Sequence, residues 1–241
     1  TGIKTAELIK YAANTFLATK ITFINEIANI CEKIGADVHD VAKGIGLDGR
    51  IGNKFLHPGP GYGGSCFPKD TLAFVRIARE CGAPSHIVEA VVEINEKRKA
   101  QMAEKIIVAM DGTVANKRIA VLGVAFKPNT DDVRDSASLT IIPALQQEGA
   151  SIYAYDPEAM GEAEQLLPGV NWCQNAYATM EGADVLVILT EWNEFRSPDF
   201  GAIKKALSSP VVFDGRNLYE PDHLRDLGFT YYGIGRSAKL T

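Results

Sequence analysis

The sequence has 241 residues, 46% of them hydrophobic, and a net charge of −5. That is enough apolar matter for one large domain or two ordinary ones. The absence of a basic run argues against a nucleic-acid partner, no apolar run reaches the ~18 residues of a membrane span, and no signal peptide opens the chain. The four cysteines form no C-x-x-C pair and have no histidine at zinc spacing, so no metal site is expected. The thiols read as reduced and the protein as cytoplasmic.

The first residues already read as helix and no Met precedes them, which suggests a piece of something longer. Thr5 to Ile34 is predicted as one helix of roughly 45 Å at 1.5 Å per residue, capped by Thr5 and closed by Gly35. Ile9, Ala13, Phe16, Phe23, Ile27, Ile30 and Ile34 fall on one seam, interrupted by Lys20. Leu17, Ile21, Ile24, Ala28 and Cys31 form a second stripe beside it. Apolar residues on more than one face imply burial on more than one side, and a second copy of the chain is the expected cover, giving a homodimer through this helix. Lys10 and Asn14 lie one turn apart on one face; both a functional pair and two solvated side chains fit that spacing. Asp37 is expected to cap a short helix, Val38 to Lys43. A long glycine-rich loop carrying Arg50 follows, and loops this long in a compact chain are usually functional.

The loop leads into Gly59-Pro60-Gly61-Tyr62-Gly63-Gly64-Ser65-Cys66-Phe67-Pro68-Lys69-Asp70. Pro68 suits the first turn of a helix predicted from Lys69 to Cys81. Cys66 then sits just ahead of a helix N-terminus, where free N–H groups and the positive dipole end favour a thiolate, with Lys69 adding to the effect. The glycines permit positive φ and close approach to a ligand. A nucleophilic thiol and a buried small hydrophobe compete for Cys66, with the nucleophile favoured; Cys31, Cys81 and Cys173 read as core residues. The segment also fits G-x-G-x-x-G, but no strand precedes it and no βαβ unit surrounds it, so it is not a dinucleotide fingerprint.

A further helix is predicted from His86 to Met110, capped by Ser85, with its charged second half a solvated bridge between domains. From Lys117 the period changes. Strands are expected at 118–126, 152–155, 170–172, 184–189, 211–214 and 231–232, alternating with helices at 138–148, 157–167, 177–180, 200–207 and 223–227. Such alternation implies a doubly wound parallel sheet. The fold class is therefore α/β: an all-helical part (residues 1–95), a connecting helix and linker (96–116) and a Rossmann-like sheet domain (117–241). Ligands of such sheets bind beyond the strand C-termini, which here carry Lys127 to Arg134, Thr190-Glu191-Trp192 and Gly215-Arg216-Asn217. Each fits a plain surface loop, while their Lys, two Arg and Trp suit a nucleotide with phosphates.

The motif Gly63-Gly64-Ser65-Cys66-Phe67-Pro68-Lys69-Asp70 resembles the catalytic-cysteine motif of the UDP-glucose/GDP-mannose 6-dehydrogenases. Ala6 to Asn14, Phe23-Ile24-Asn25-Glu26, Gly123-Val124-Ala125-Phe126-Lys127-Pro128, Asp131 to Ser136 and Phe213-Asp214-Gly215-Arg216 are similar to the same family, in the same order. Phe67 with Pro68 points to the branch acting on UDP-glucose. The resemblance implies a helical dimerisation domain followed by a UDP-sugar domain, with the family's N-terminal NAD-binding domain absent from this sequence. It implies oxidation of UDP-glucose to UDP-glucuronate with two NAD⁺, through a thiohemiacetal and a thioester on Cys66. In that scheme Lys10 and Asn14 stabilise the oxyanion and Asp70 positions water. Phe55, Tyr62, Gly63, Lys127 and Arg216 hold the UDP-sugar, helped by Arg50 of a neighbouring subunit, while Arg134 and Lys69 face NAD. Two alternatives stay open: a relative acting on GDP-mannose or a UDP-N-acetylhexosamine, and a module that binds UDP-sugar and dimerises without catalysis.

Overall fold

The structure, a computed structural model, describes residues 1–236; the last five residues of the expected sheet domain lie outside the described residues. Four helices come first. α1 (Ile3–Ile34) starts two residues before Thr5, with Gly2 at its N-cap and no side-chain cap, and ends in Gly35 at φ 74°. Thr5 is therefore inside the helix. α2 (Val38–Gly46) is capped by Asp37, whose carboxylate accepts from the His39 N–H. α3 (Phe67–Glu80) and α4 (His86–Ala109) complete the set. Ser85 occupies the α4 N-cap without a side-chain bond.

Of the two apolar stripes on α1, the second packs inward: Ile24, Ala28 and Cys31 are buried. Most of the first is open, with Ile9, Phe16, Phe23, Ile30 and Ile34 all exposed. α4 corrects the expectation of a solvated bridge. Val88, Val91, Asn95, Arg98, Lys99, Met102, Ala103 and Ile106 are buried on it. It packs on a helix of the sheet domain, α5 (Ser138–Gln147). Met102, Ala103 and Ile106 share one apolar cluster with Ile24 and Ala28 of α1 and with the sheet residues Val121 and Val187.

The sheet domain runs β1 (Arg118–Leu122), α5 (Ser138–Gln147), β2 (Ser151–Tyr155), α6 (Met160–Glu164), β3 (Asn171–Trp172), α7 (Ala176–Met180), β4 (Val185–Ile188), α8 (Phe200–Ala206), β5 (Val211–Asp214), α9 (Pro221–Asp226) and β6 (Thr230–Gly233). The order is β3-β2-β1-β4-β5-β6 and every pairing is parallel. β4 is apolar without a break and buried throughout, as a central strand covered on both faces should be. α6 is shorter than its predicted span because the Asp156 carboxylate organises the turn before it, accepting from the N–H groups of Glu158 and Ala159. β1 stops at Leu122 because Gly123 turns out of the sheet at φ 85°, where a Cβ would lie 2.4 Å from the Thr190 Cβ. The loops after β1 and β4 thus cross in contact. The two strands are neighbours from which the chain winds in opposite directions, so this is the switch point at which such sheets bind ligands. The end of the described chain closes back on the helices: Gly235 donates to Glu32 and accepts from Val38, and Arg236 pairs with Asp37 and Glu220.

Candidate active site

Cys66 is the N-cap residue of α3 and is exposed. Its carbonyl accepts the first helical hydrogen bond, from Asp70 N–H at 2.9 Å. Cys66, Lys69 and Asp70 therefore share one helical turn, as expected. The two side chains below the thiol differ in exposure. Lys69 is open to solvent, while Asp70 is buried and accepts from Asn14 Nδ2 at 2.5 Å, with Lys69 Nζ at 3.5 Å from its other oxygen. An asparagine amide has two N–H donors, so one remains to Asn14 for another acceptor. Lys10, one turn earlier on α1, is exposed. The predicted set Lys10, Asn14, Cys66 and Asp70 thus lies on the packed pair α1 and α3.

The stretch before Cys66 is held by backbone contacts rather than by a helix or strand. Gly59 N–H donates to Asn25 Oδ1 at 2.8 Å, and Gly59 C=O accepts from Arg98 Nε at 3.1 Å. Tyr62 donates its N–H to Asn95 Oδ1 at 2.8 Å and accepts at its C=O from Asn95 Nδ2 at 3.1 Å. Its ring is buried with Ala18 and Val91 and meets Phe67 edge-on, the centroids 6.1 Å apart. Burial pushes the Tyr62 hydroxyl up to about 12, so it stays protonated. The structure thus places Tyr62 as an anchor of the loop. Phe55, also near Phe67, holds φ 64° without being glycine; such strain gathers at functional sites.

Gly63 and Gly64 dock this loop on the sheet domain. A Cβ at Gly63 would lie 2.2 Å from Asp135 O, and one at Gly64 would enter the Phe126 ring. Gly64 N–H donates to Arg134 O at 2.8 Å. The thiol therefore stands beside the loop after β1. Arg134 is itself exposed; its pairing with Asp132 holds the guanidinium above its ordinary value, and the Cys66 side chain contributes to a smaller degree.

Arg216 lies across the switch point. Its Nε donates to Leu189 O at 2.7 Å, its Nη2 to Phe126 O at 3.2 Å, and Glu191 pairs with it. A Cβ on Gly59 would come within 3.2 Å of its Nη1. One arginine thereby binds carbonyls of the loops after β1 and β4 and lies close to Gly59 of the glycine loop. Asp214, at the end of β5, is buried, and that burial raises its carboxyl pKa. Lys127 is exposed, its Nζ above the Phe126 ring at 5.3 Å. Arg50 is set apart in the open loop after α2, paired with Asp48. That loop is tied to α1 by Lys20, which donates to the carbonyls of Ile51 and Gly52.

Among the other cysteines, Cys31 is buried in the core, and burial raises its thiol pKa. Cys81 is exposed at the end of α3 and Cys173 half-buried, against the expectation that both are core residues. Asn95 and Arg98 escaped the sequence reading because the surrounding charges suggested a solvated face. The signal was present: the buried positions 88, 91, 95, 98, 102 and 106 recur at helical spacing through those polar residues. No helix among the described residues is long and apolar enough to cross a membrane.

Residues 4–97 match the UDP-glucose/GDP-mannose dehydrogenase family, central domain, and residues 120–221 match the UDP binding domain of the same family. The chain is 54% identical to a UDP-glucose 6-dehydrogenase of Rhizobium meliloti (strain 1021), over 97% of this chain and 53% of that protein. It is 52% identical to UDP-glucose 6-dehydrogenase TuaD of Bacillus subtilis (strain 168), over 99% and 52%. A solved UDP-glucose dehydrogenase from Pyrobaculum islandicum superposes with a TM-score of 0.84 at 37% identity, covering 97% of this chain and 51% of that one. The chain spans about half the length of the curated relatives it matches.

Proposed function

The chain belongs to the UDP-glucose/GDP-mannose dehydrogenase family, and from that premise we propose that the protein it forms oxidises C6 of UDP-glucose to the carboxylate, with Cys66 as nucleophile. The observation that carries this reading is the exposed Cys66 at the N-cap of α3, one turn from the Asp70–Asn14 pair. Relatives at 54% and 52% identity named for UDP-glucose favour that sugar over the alternatives.

NAD⁺ would supply the acceptor for the two hydrides that leave C6. The residues here that suit it are Arg134 and Lys69, two exposed cations, one touching the Cys66 loop through its carbonyl and the other on the Cys66 turn; a cation at an open edge fits a pyrophosphate. Between the two oxidations Cys66 Sγ attacks the aldehyde carbon, forming a thiohemiacetal. Asn14 Nδ2–H and Lys10 Nζ stabilise the oxygen as it gains charge. The second oxidation leaves a thioester. Asp70 Oδ positions the water that cleaves it, releasing the acid and the free thiol. Lys127 and Arg216 hold the diphosphate from the sheet side, Phe55 and Gly63 line the sugar, and Arg50 of a second copy completes the site. We place the protein in the cytoplasm and pair it through the open apolar seam of α1.

The product made from the complete gene is incubated with UDP-glucose and NAD⁺. Two NADH per UDP-glucuronate is the expected stoichiometry. Turnover of GDP-mannose or a UDP-N-acetylhexosamine in preference to UDP-glucose would transfer the reading to those substrates, and no NADH from any of them would reject it.

A further inference from the structure

The thiol's own side-chain surroundings do little to aim it. Cys66 is exposed, and among the described residues its one side-chain hydrogen-bond partner is Ser65 Oγ at 3.8 Å. Its direction is set by the chain on either side. After it, α3 is fixed by the Asp70–Asn14 bond. Before it, residues 59–64 form no helix or strand. Asn95 grips both backbone groups of Tyr62, as a neighbouring β-strand would, four residues ahead of the thiol.

Asn95 is only 2% exposed. It can reach Tyr62 because position 61 is glycine: Gly61 has φ 116°, and a Cβ there would lie 3.0 Å from Asn95 Oδ1. Arg98, one turn along α4, holds Gly59 from the same side. The sequence of that helix face and the glycine spacing of the loop are thus matched to one another. α4 also runs on into the sheet domain, so the element that fixes the thiol loop is the one that joins the two halves.

We propose that Asn95 is a positioning residue for Cys66. By fixing the Tyr62 peptide groups it sets where the thiol stands relative to C6 of the substrate, without touching substrate itself. This rests on the functional reading above. The consequence is specific. The first oxidation, alcohol to aldehyde with one hydride and one proton lost, needs no thiol. The second needs Sγ bonded to the aldehyde carbon. A misaimed Cys66 therefore impairs the second half and lets aldehyde escape.

The test is Asn95→Asp in the product of the complete gene. The new carboxylate keeps the shape and still accepts from Tyr62 N–H, but offers no donor to Tyr62 C=O. With semicarbazide present to trap aldehyde, the variant should yield trapped UDP-linked aldehyde and a ratio of NADH to acid plus trapped aldehyde falling from two toward one. The rate of acid formation should drop about a hundredfold, the scale of a 1 Å misplacement. A purely structural role would slow both halves together and leave the ratio at two, which would overturn the proposal. Should Asn95→Asp fail to fold, Asn95→Ser, smaller and uncharged, is put through the same trap. Iodoacetamide labelling of Cys66, with exposed Cys81 of the same molecule as internal standard, separates this proposal from the functional reading. An altered Cys66-to-Cys81 rate ratio in either variant supports the positioning role even if UDP-glucose proves not to be the substrate. An unchanged ratio rejects it.

Discussion

Replacing Gly63 by alanine isolates the docking of the thiol loop on the sheet domain. Gly63 does not occupy the left-handed region, so backbone strain is not at issue; the added methyl is. Its Cβ would lie 2.2 Å from Asp135 O and must retreat by at least 0.8 Å to reach the 3.0 Å floor of real Cβ contacts. The obstacle is backbone, and the next residue is bonded to Arg134 O at 2.8 Å, so that retreat stretches this bond too. Overpacking of this kind costs about 1–3 kcal/mol, and a lost hydrogen bond about 0.5–1.5 kcal/mol. The expected loss of stability is therefore about 1.5–4.5 kcal/mol, read as a lowered urea midpoint with an unchanged slope. A loop displaced by ~1 Å should also cost about a hundredfold in turnover. Gly49→Ala is the control, since a Cβ there meets nothing within 4 Å. A Gly63→Ala protein as stable and as active as Gly49→Ala would refute the claim that the loop is seated on the sheet domain.

Phe16→Glu on the open seam of α1 should leave a folded monomer by light scattering at micromolar concentration where the parent gives a dimer; equal masses would reject that interface. Arg216→Ala should weaken UDP-glucose binding by about 1.5–3 kcal/mol in calorimetry, the range for a hydrogen bond to a charged group, and unchanged affinity would remove Arg216 from the ligand site. His39 is half-buried, and desolvation together with Arg236 lowers its pKa, partly offset by Asp37 and Glu220, with His57 also facing it. Its neutral form is the one that suits the fold, so its contribution is complete above the unfolded value of about 6.5 and is lost as pH falls through the lower folded value. Melting temperature should thus decline as pH falls from about 6.5 through that lower value, and His39→Gln should flatten the decline; identical pH profiles would show that His39 does not report on it.

The sequence made the cysteine turn legible because its signals are local: a proline in the first turn, a cation, an acid one turn on, and glycines before them. The sheet was legible for a similar reason, since unbroken apolar runs such as Val185–Ile188 leave few alternatives to a buried strand. What stayed hidden depends on contacts distant in sequence. Asn95 and Arg98 look solvated among their charged neighbours and are buried where α1 and a glycine loop more than thirty residues away pack on their helix. Asp156 looked like a turn residue before Pro157. It also binds the N–H groups of Val124 and Ala125 and the Trp192 indole, joining the loops after β1, β2 and β4. Arg216 was expected to face a ligand. The structure adds that it is already engaged with Leu189 and Phe126, so its removal should also loosen the two loops it joins.

Cys66→Ser in the complete gene product tests most directly whether Cys66 acts as a nucleophile. A hydroxyl is scarcely ionised near neutral pH, whereas the thiolate is the attacking form of cysteine. The variant should bind UDP-glucose with near-parental affinity, form no thioester on residue 66 by intact-protein mass, and lose steady formation of UDP-glucuronate. Full turnover to UDP-glucuronate with two NADH per molecule would contradict the account and leave the glycine loop as a sugar-binding element whose cysteine is incidental.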